Sequence, residues 1–258
     1  MELKDTFETV AAAYDAARPS YPEALFDDLA TIAGLTPGSG VLELGCGSGQ
    51  ATAGFAIRGW AVLGVEPGAE LARLARRRFA ANPNVQFTVG SFEDWPLEAH
   101  AFDLVAAAQS WHWIDPALRF AKAADALRPG GHLAVFGHTP LPSEDYLALV
   151  EPIYRRWVAG FWGQTGERWY LPEGPIAGLF AASGRFEPAQ HRIYRWSRRY
   201  TLPDFMAWLG TLSIHTSLPA EQRTALFSEL EAVLAANGSE IERDWATTLH
   251  VARVAPPA

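Results

Sequence analysis

The chain has 258 residues, 49% of them hydrophobic, with a formal net charge of −8 and a single cysteine. That length and apolar content suit one large α/β domain carrying an insertion. The acidic balance argues against a general nucleic-acid surface, which needs a basic face. One cysteine excludes an internal disulfide and fits a reducing cytoplasm.

In chain order, residues 5–17 read as a helix that Arg18-Pro-Ser-Tyr-Pro22 breaks, and residues 22–33 as a second, with Pro22 in its first turn. Strand one follows Gly38-Ser-Gly40 over 41–44. A helix over about 49–58 ends at Gly59, strand two covers 60–65, and a helix over 69–81 stops at Asn82-Pro83. Its Arg73, Arg76, Arg77 and Arg78 read as a solvated face. Strand three is 85–89 and strand four 102–108, a continuous apolar run as expected of a strand covered on both faces. Asp115-Pro116 opens a helix to Leu127, and strand five is 132–137. Such alternation implies a parallel sheet with right-handed crossovers.

Beyond residue 138 the rhythm changes. Residues 144–162 carry apolar side chains at helical spacing, a glycine-rich loop covers 163–166, and a short helix 175–183. A strand over 191–200, helices over 202–214 and 219–236, and a last strand over 244–254 complete the chain. The N-terminal MELKDTFETV has no signal-peptide pattern and no apolar run approaches a membrane span.

The chemistry concentrates in VLELGCGSGQ, residues 41–50. Gly45, Gly47 and Gly49 alternate after the first strand, and the second strand ends in Glu66-Pro67. A glycine loop between strand and helix lets a ligand approach the backbone, and an acidic residue about 20 positions on can hold ribose hydroxyls. The first half is therefore expected to hold a nucleoside-containing cofactor. A dinucleotide fingerprint requires G-x-G-x-x-G, and its third glycine would fall at Gln50.

The pattern from Glu43 to Gly49, E-x-G-x-G-x-G, together with Glu66, resembles motif I and its partner in the class I S-adenosylmethionine (SAM) dependent methyltransferases, of the small-molecule type that includes trans-aconitate methyltransferase. The resemblance implies a Rossmann-like, seven-stranded, mostly parallel sheet with helices on both faces and an antiparallel last strand inserted between strands five and six. It implies one domain over 1–258, with residues 1–35 as a helical lid and 139–190 as a helical cap. SAM would be the cofactor, its amino-acid end over Glu43, Gly45, Cys46, Gly47 and Gly49 and its ribose on Glu66 beside Pro67. The usual adenine-binding aspartate is absent after strand three, which leaves Ser91, Phe92 and Glu93 as candidates. Ala108 and Gln109 close strand four at the cofactor. Tyr14, Arg18 and Tyr21 lie in a segment that folds over the cofactor in relatives, with Arg18 placed to meet the methionyl carboxylate.

Ligands of open α/β sheets bind at the carboxyl ends of strands, which directs Trp111, His112 and Trp113 toward the acceptor. Each has a bland alternative: a structural histidine, and tryptophans packed on the next helix. His112 is a candidate base or hydrogen-bond donor and Tyr14 a second candidate base. Trp157, Trp169, Tyr170, Trp208 and His215 are further acceptor-pocket candidates, and Arg155, Arg156 and Arg195 possible anion partners. No metal-ligand spacing occurs, and His112, His132 and His138 are spread over two strand ends. The expected function is methyl transfer to a small molecule, at a carboxylate or hydroxyl oxygen, by a monomer or homodimer with no nucleic-acid or membrane partner. The competing readings are a NAD-dependent oxidoreductase, which lacks a Tyr-x-x-x-Lys pair here, and a non-catalytic SAM-binding protein.

Overall fold

The computed structural model describes residues 17–158 and 166–256. The expected helix over 5–17 and lid residue Tyr14 therefore lie outside the described residues, Ala17 excepted, as does most of the loop 163–166. The elements are α1 (Glu23–Ala33), β1 (Gly40–Leu44), α2 (Gln50–Ile57), β2 (Ala61–Glu66), α3 (Ala69–Arg78), β3 (Val85–Val89) and β4 (Phe102–Ala108). Then come α4 (Arg119–Ala126), β5 (Leu127–Leu141), α5 (Glu144–Trp157), α6 (Pro175–Ala182) and β6 (Gln190–Thr201). The last are α7 (Leu202–Gly210), α8 (Ser213–Thr216), α9 (Ala220–Ala236) and β7 (Glu240–Arg253).

Seven strands form one sheet in the order β3-β2-β1-β4-β5-β7-β6. β1 to β5 are parallel, the last strands are antiparallel, and β7 lies between β5 and β6 as expected. Side chains alternate across a strand, and here both faces are buried. Val41, Leu104, Ala106, Ala134 and Phe136 join one cluster with Phe26, Phe55 and Trp60. Their neighbours Leu42, Val105, Ala107, Leu133 and Val135 join the other, with Trp111, Phe120 and Phe180. On α3, Leu71, Ala72 and Ala75 face inward. The arginines at its end favour the negative pole of the helix, and Arg73 is half exposed and paired with Glu70.

Two expectations fail locally. The helix after β4 begins at Arg119, not Asp115, because a 3-10 turn over Trp111–Trp113 and a turn at Asp115 come first. β5 begins at Leu127, not His132. Leu127 pairs with Phe102 while His132 pairs with Leu104, so Arg128-Pro-Gly-Gly131 bulges out of the ladder instead of ending the strand. Arg128 then reaches Asp103 at 2.9 Å, and Asp103 also accepts the Gly40 N–H at 2.7 Å.

The chain divides into two compact units. The larger comprises residues 19–138, 168–194 and 247 onward, and includes α1 and the segment 168–190 that the sequence assigns to a lid and a cap. Among the described residues, the smaller comprises Ala17 and Arg18, 139–158, 166–167 and 195–246. The core of the smaller unit is Val150, Tyr154, Tyr200, Phe205, Trp208, Leu226, Leu230 and Trp245, with Trp196 stacked on Trp245 at 5.4 Å. Arg243 is buried there with its guanidinium 3.9 Å from the Tyr146 ring centroid.

α2 lies close on α1 because Gly54 has no side chain: a Cβ there would sit 2.2 Å from the Phe26 ring. Gly54→Ala gains about 1 kcal/mol of helix propensity but overpacks a filled contact, at a cost of about 1–3 kcal/mol. A net loss is expected, read as a lower urea midpoint at unchanged slope. An equal or higher midpoint would mean that Phe26 moves aside freely.

Candidate active site

The carboxyl ends of β3, β2, β1 and β4 stand side by side, and each carries one part of the sequence constellation. After β1, Gly45, Gly47 and Gly49 all take positive φ (62°, 58° and 91°), a region other residues enter only with strain. Gly45 is also fixed by packing, since a Cβ would lie 2.6 Å from the Ser110 side chain. The Ser110 hydroxyl donates to the Leu44 carbonyl, tying the exit of β4 to the exit of β1.

The loop does not present its amides as an anion cradle. Gly45 and Cys46 N–H donate to the Val65 carbonyl, Gly47 N–H to Glu66 Oε2 at 2.8 Å, and Gly49 N–H to the Cys46 carbonyl. The second oxygen of Glu66 accepts the Gly68 N–H at 2.8 Å. Glu66 is only 6% exposed, at the end of β2. Glu43 is buried beneath the loop, where the Thr52 hydroxyl donates to Oε2 at 2.5 Å and Oε1 has no partner. Burial, with the charge of Glu66, pushes the Glu43 carboxyl up to about 8 against the Thr52 bond. Burial also raises the Cys46 thiol, with Glu43 and Glu66 adding to it, so the cysteine is a packed loop residue and not a reactive one.

After β3, the Ser91 hydroxyl donates to Asp94 at 2.8 Å and accepts the Asp94 N–H at 3.1 Å. Sequence reading passed over Asp94, although an acidic residue four positions beyond Gly90 was a signal. Glu93 accepts the Asp115 N–H at 2.9 Å, which aims its carboxylate at the turn before α4. Phe92 is buried against Trp95, with the Lys122 ammonium 5.2 Å from its ring.

After β4, Gln109 has φ 55°, held by its N–H on the Phe136 carbonyl and its side-chain amide on the His138 carbonyl. A non-glycine residue in this region costs on the order of 1–2 kcal/mol and marks functional turns. Trp111 is fully buried, edge-on to Phe120 of α4 at 5.0 Å, so it takes the packing alternative. Trp113 is partly exposed, 4.7 Å from the His112 ring. His112 Nδ1 lies 3.0 Å from the Tyr170 hydroxyl, and burial with the nearby Arg119 charge lowers its pKa to about 4. Tyr170 is held in turn by His250 Nε2, which donates to its carbonyl.

Arg119 is the residue sequence reading missed. It is 3% exposed, its guanidinium within 5.5–5.7 Å of the Trp111, Phe120 and Trp169 ring centroids. Its Nη1 donates to the Trp111 carbonyl, its Nε has no partner, and it forms no ion pair with a described residue. No local pattern announces an arginine left unneutralised by folding.

Tyr21 stacks on His138 at 4.4 Å, and His138 Nδ1 lies 2.8 Å from the Thr247 hydroxyl. The remaining candidates belong to the smaller unit. Arg18 donates to the Thr211 carbonyl, and Trp157 to Glu229 at 3.1 Å. Trp208 is a core residue. His215 is fully buried: its Nδ1–H donates to the Leu209 carbonyl, so Nε2 accepts the Tyr154 hydroxyl, which leaves neither nitrogen for a ligand. Arg155 and Arg156 are paired with Glu151 and Glu229, and Arg195 is exposed on the edge strand. Among the described residues no cluster of three His, Cys, Asp or Glu could hold a metal, and no helix is long and apolar enough to cross a membrane.

An open α/β sheet with a glycine loop after β1 and an acidic residue ending β2 defines a nucleoside-cofactor protein. The donor set selects among such cofactors. Loop amides turned inward over two buried carboxyl groups do not suit a pyrophosphate, whereas they do suit a cofactor whose reactive end is cationic. The comparisons agree. Residues 41–131 match the family model described as a methyltransferase domain. An uncharacterised methyltransferase of Mycobacterium tuberculosis is 29% identical over 91% of this chain and 87% of its own. A solved structure from Anaeromyxobacter dehalogenans, described as a candidate type II methyltransferase, is 27% identical with a TM-score of 0.62, covering 93% of this chain and 99% of that one. The fold is shared with Haemonchus contortus phosphoethanolamine N-methyltransferase 2, solved with SAM, at 17% identity and TM-score 0.55, over all of this chain and 60% of that one. Residues 41–131 thus match a methyltransferase domain, and the sequence and the fold along nearly the whole chain are similar to those of methyltransferases, which supports SAM as the cofactor.

Glu66→Ala removes the carboxylate that anchors Gly47 and Gly68 at the cofactor end. SAM affinity is expected to fall roughly 10- to 200-fold, the scale of a charge-assisted hydrogen bond of about 1.5–3 kcal/mol. Calorimetric titration of a variant with a wild-type melting profile checks this, and unchanged affinity would remove Glu66 from the cofactor site.

Proposed function

We propose that the enzyme methylates a small-molecule acceptor at oxygen, with a carboxylate favoured over a hydroxyl. The observation that supports this is the pair formed by His112, hydrogen-bonded to Tyr170, and the buried Arg119, whose Nε has no partner, at the exit of β4. In this reading Glu66, beside Pro67, takes the ribose hydroxyls, and the Glu43–Gly49 segment, including Gly45, Cys46 and Gly47, receives the amino-acid end. Ser91 and Phe92 flank the adenine, with Ala108 and Gln109 beside the reactive end. Tyr14, Arg18 and Tyr21 are the proposed covering residues, and Trp113 a wall of the acceptor site.

SAM when bound supplies an already activated methyl group, so the protein's work is positioning and exclusion of water. Ordering the reactants can contribute on the order of 7–11 kcal/mol of the barrier. The acceptor proton separates the two oxygen classes. Held near 4, His112 is a neutral and weak base. Deprotonating a phenol of pKa about 10 through it would be uphill by about six units. An ionised carboxylate needs no base; it needs a cation and a hydrogen-bond donor, roles that suit Arg119 and His112. The single buried cysteine fits a cytoplasmic enzyme.

Labelled methyl transfer from SAM to panels of carboxylic acids, phenols and amines tests the acceptor class, and turnover confined to amines would overturn it. Arg119→Gln is expected to raise KM for an acid acceptor roughly 10- to 100-fold with S-adenosylhomocysteine affinity unchanged, and Arg119→Lys to recover part of that loss. Because His112 is neutral well above its lowered pKa, kcat at saturating SAM and acceptor should stay level between pH 6 and 8. A decline centred near 6.5 would show that His112 titrates normally and works as a base.

A further inference from the structure

Two carboxyl groups share the buried ground under the glycine loop, and they are not equivalent. Glu66, from β2, accepts two backbone N–H groups at 2.8 Å, which favour its ionised form. Glu43, from β1, accepts from Thr52 of α2 alone, and its Oε1 has no partner. The other titratable group against this region is the Cys46 thiol of the loop. Arg76 of α3 bears on Cys46 and donates to the Phe87 carbonyl, and it does not neutralise Glu43. Neighbouring carboxylates resist double ionisation, and the proton stays on the one whose second oxygen has no donor, which is Glu43.

We propose that Glu43 is protonated in the free enzyme and loses its proton to solvent when the ammonium of the cofactor's amino-acid end binds at the glycine loop. Cofactor binding is thereby coupled to proton release, and Glu43 acts as a positioning residue whose charge appears only when a cation is present to meet it. The O–H bond of the carboxylic acid breaks, both electrons stay on the carboxylate, and buffer takes the proton. Burial and the Glu66 charge, which hold the carboxyl near 8, keep it mostly protonated at neutral pH. The sign follows. The bound state carries fewer protons, so affinity rises with pH up to the free-state pKa. This proton coupling rests on SAM as the cofactor and is independent of the acceptor.

The test is calorimetric titration of S-adenosylhomocysteine, whose ammonium stays protonated in this range, into the full chain at pH 7.0 in buffers of different ionisation enthalpy. The expected slope corresponds to release of roughly 0.5–1 proton, and affinity should rise roughly 3- to 10-fold from pH 6.5 to 7.5. Glu43→Gln should bind with a slope near zero and with little pH dependence. A zero slope in the wild type, or the same slope in Glu43→Gln, overturns the proposal. Should that variant fail to fold, infrared difference spectra of the wild type decide the matter. Loss of a protonated-carboxyl C=O band on ligand addition supports the assignment, and no change in that band refutes it.

Discussion

The cofactor end of this molecule is organised by one carboxylate. Glu66 closes β2 and accepts N–H groups from the loop after β1 and from the turn before α3, each at 2.8 Å. Hydrogen bonds to a charged group are worth about 1.5–3 kcal/mol each, enough to hold two short loops that have no core of their own. Gly45, Cys46 and Gly49 complete the inward turn by donating to backbone carbonyls. Because its amides are spent in this way, the glycine loop acts as a shaped rim over acidic ground.

That electrostatic ground distinguishes the site from a dinucleotide site built on the same strand–loop–helix frame. A pyrophosphate needs outward amides and no nearby anion. Here Glu43 and Glu66 lie at the exits of adjacent strands, and both are almost fully buried. The arrangement is suited to positive charge, as a sulfonium cofactor carries. The hydrogen bonding of the two carboxyl groups is uneven: both oxygens of Glu66 accept N–H groups, whereas Glu43 leaves Oε1 without a partner.

The opposite sign prevails at the exit of β4. Arg119 stands among three aromatic rings beside a neutral His112, with Asp115 acting on its charge from a distance but no described carboxylate paired with it. A buried cation without an anion is costly, several kcal/mol after relaxation, and ring faces offset only part of that. The catalytic end of the sheet thus pairs an acidic cofactor floor with a basic, aromatic flank. That polarity suits a cationic methyl donor and an oxyanion acceptor.

Much of this architecture was legible in the amino-acid sequence. β3 and β4 fall on 85–89 and 102–108 as read from the apolar runs, and Glu66 ends β2 where spacing from the glycines placed an acidic residue. The cap of α1 at Gly34 and the solvated arginine face of α3 depend on neighbours within a turn or two, so local chemistry determined them. The tertiary structure decided what depends on distant partners. Tyr170 reaches His112 across 58 positions at the exit of β4, and Tyr154 takes His215 across 61 in the core of the smaller unit. It also ran β5 through Pro129, divided the chain into two units, and left Arg119 without an ion pair among the described residues. Periodicity records which face of an element is apolar, whereas the partner of a buried polar group is set only when the chain closes on itself.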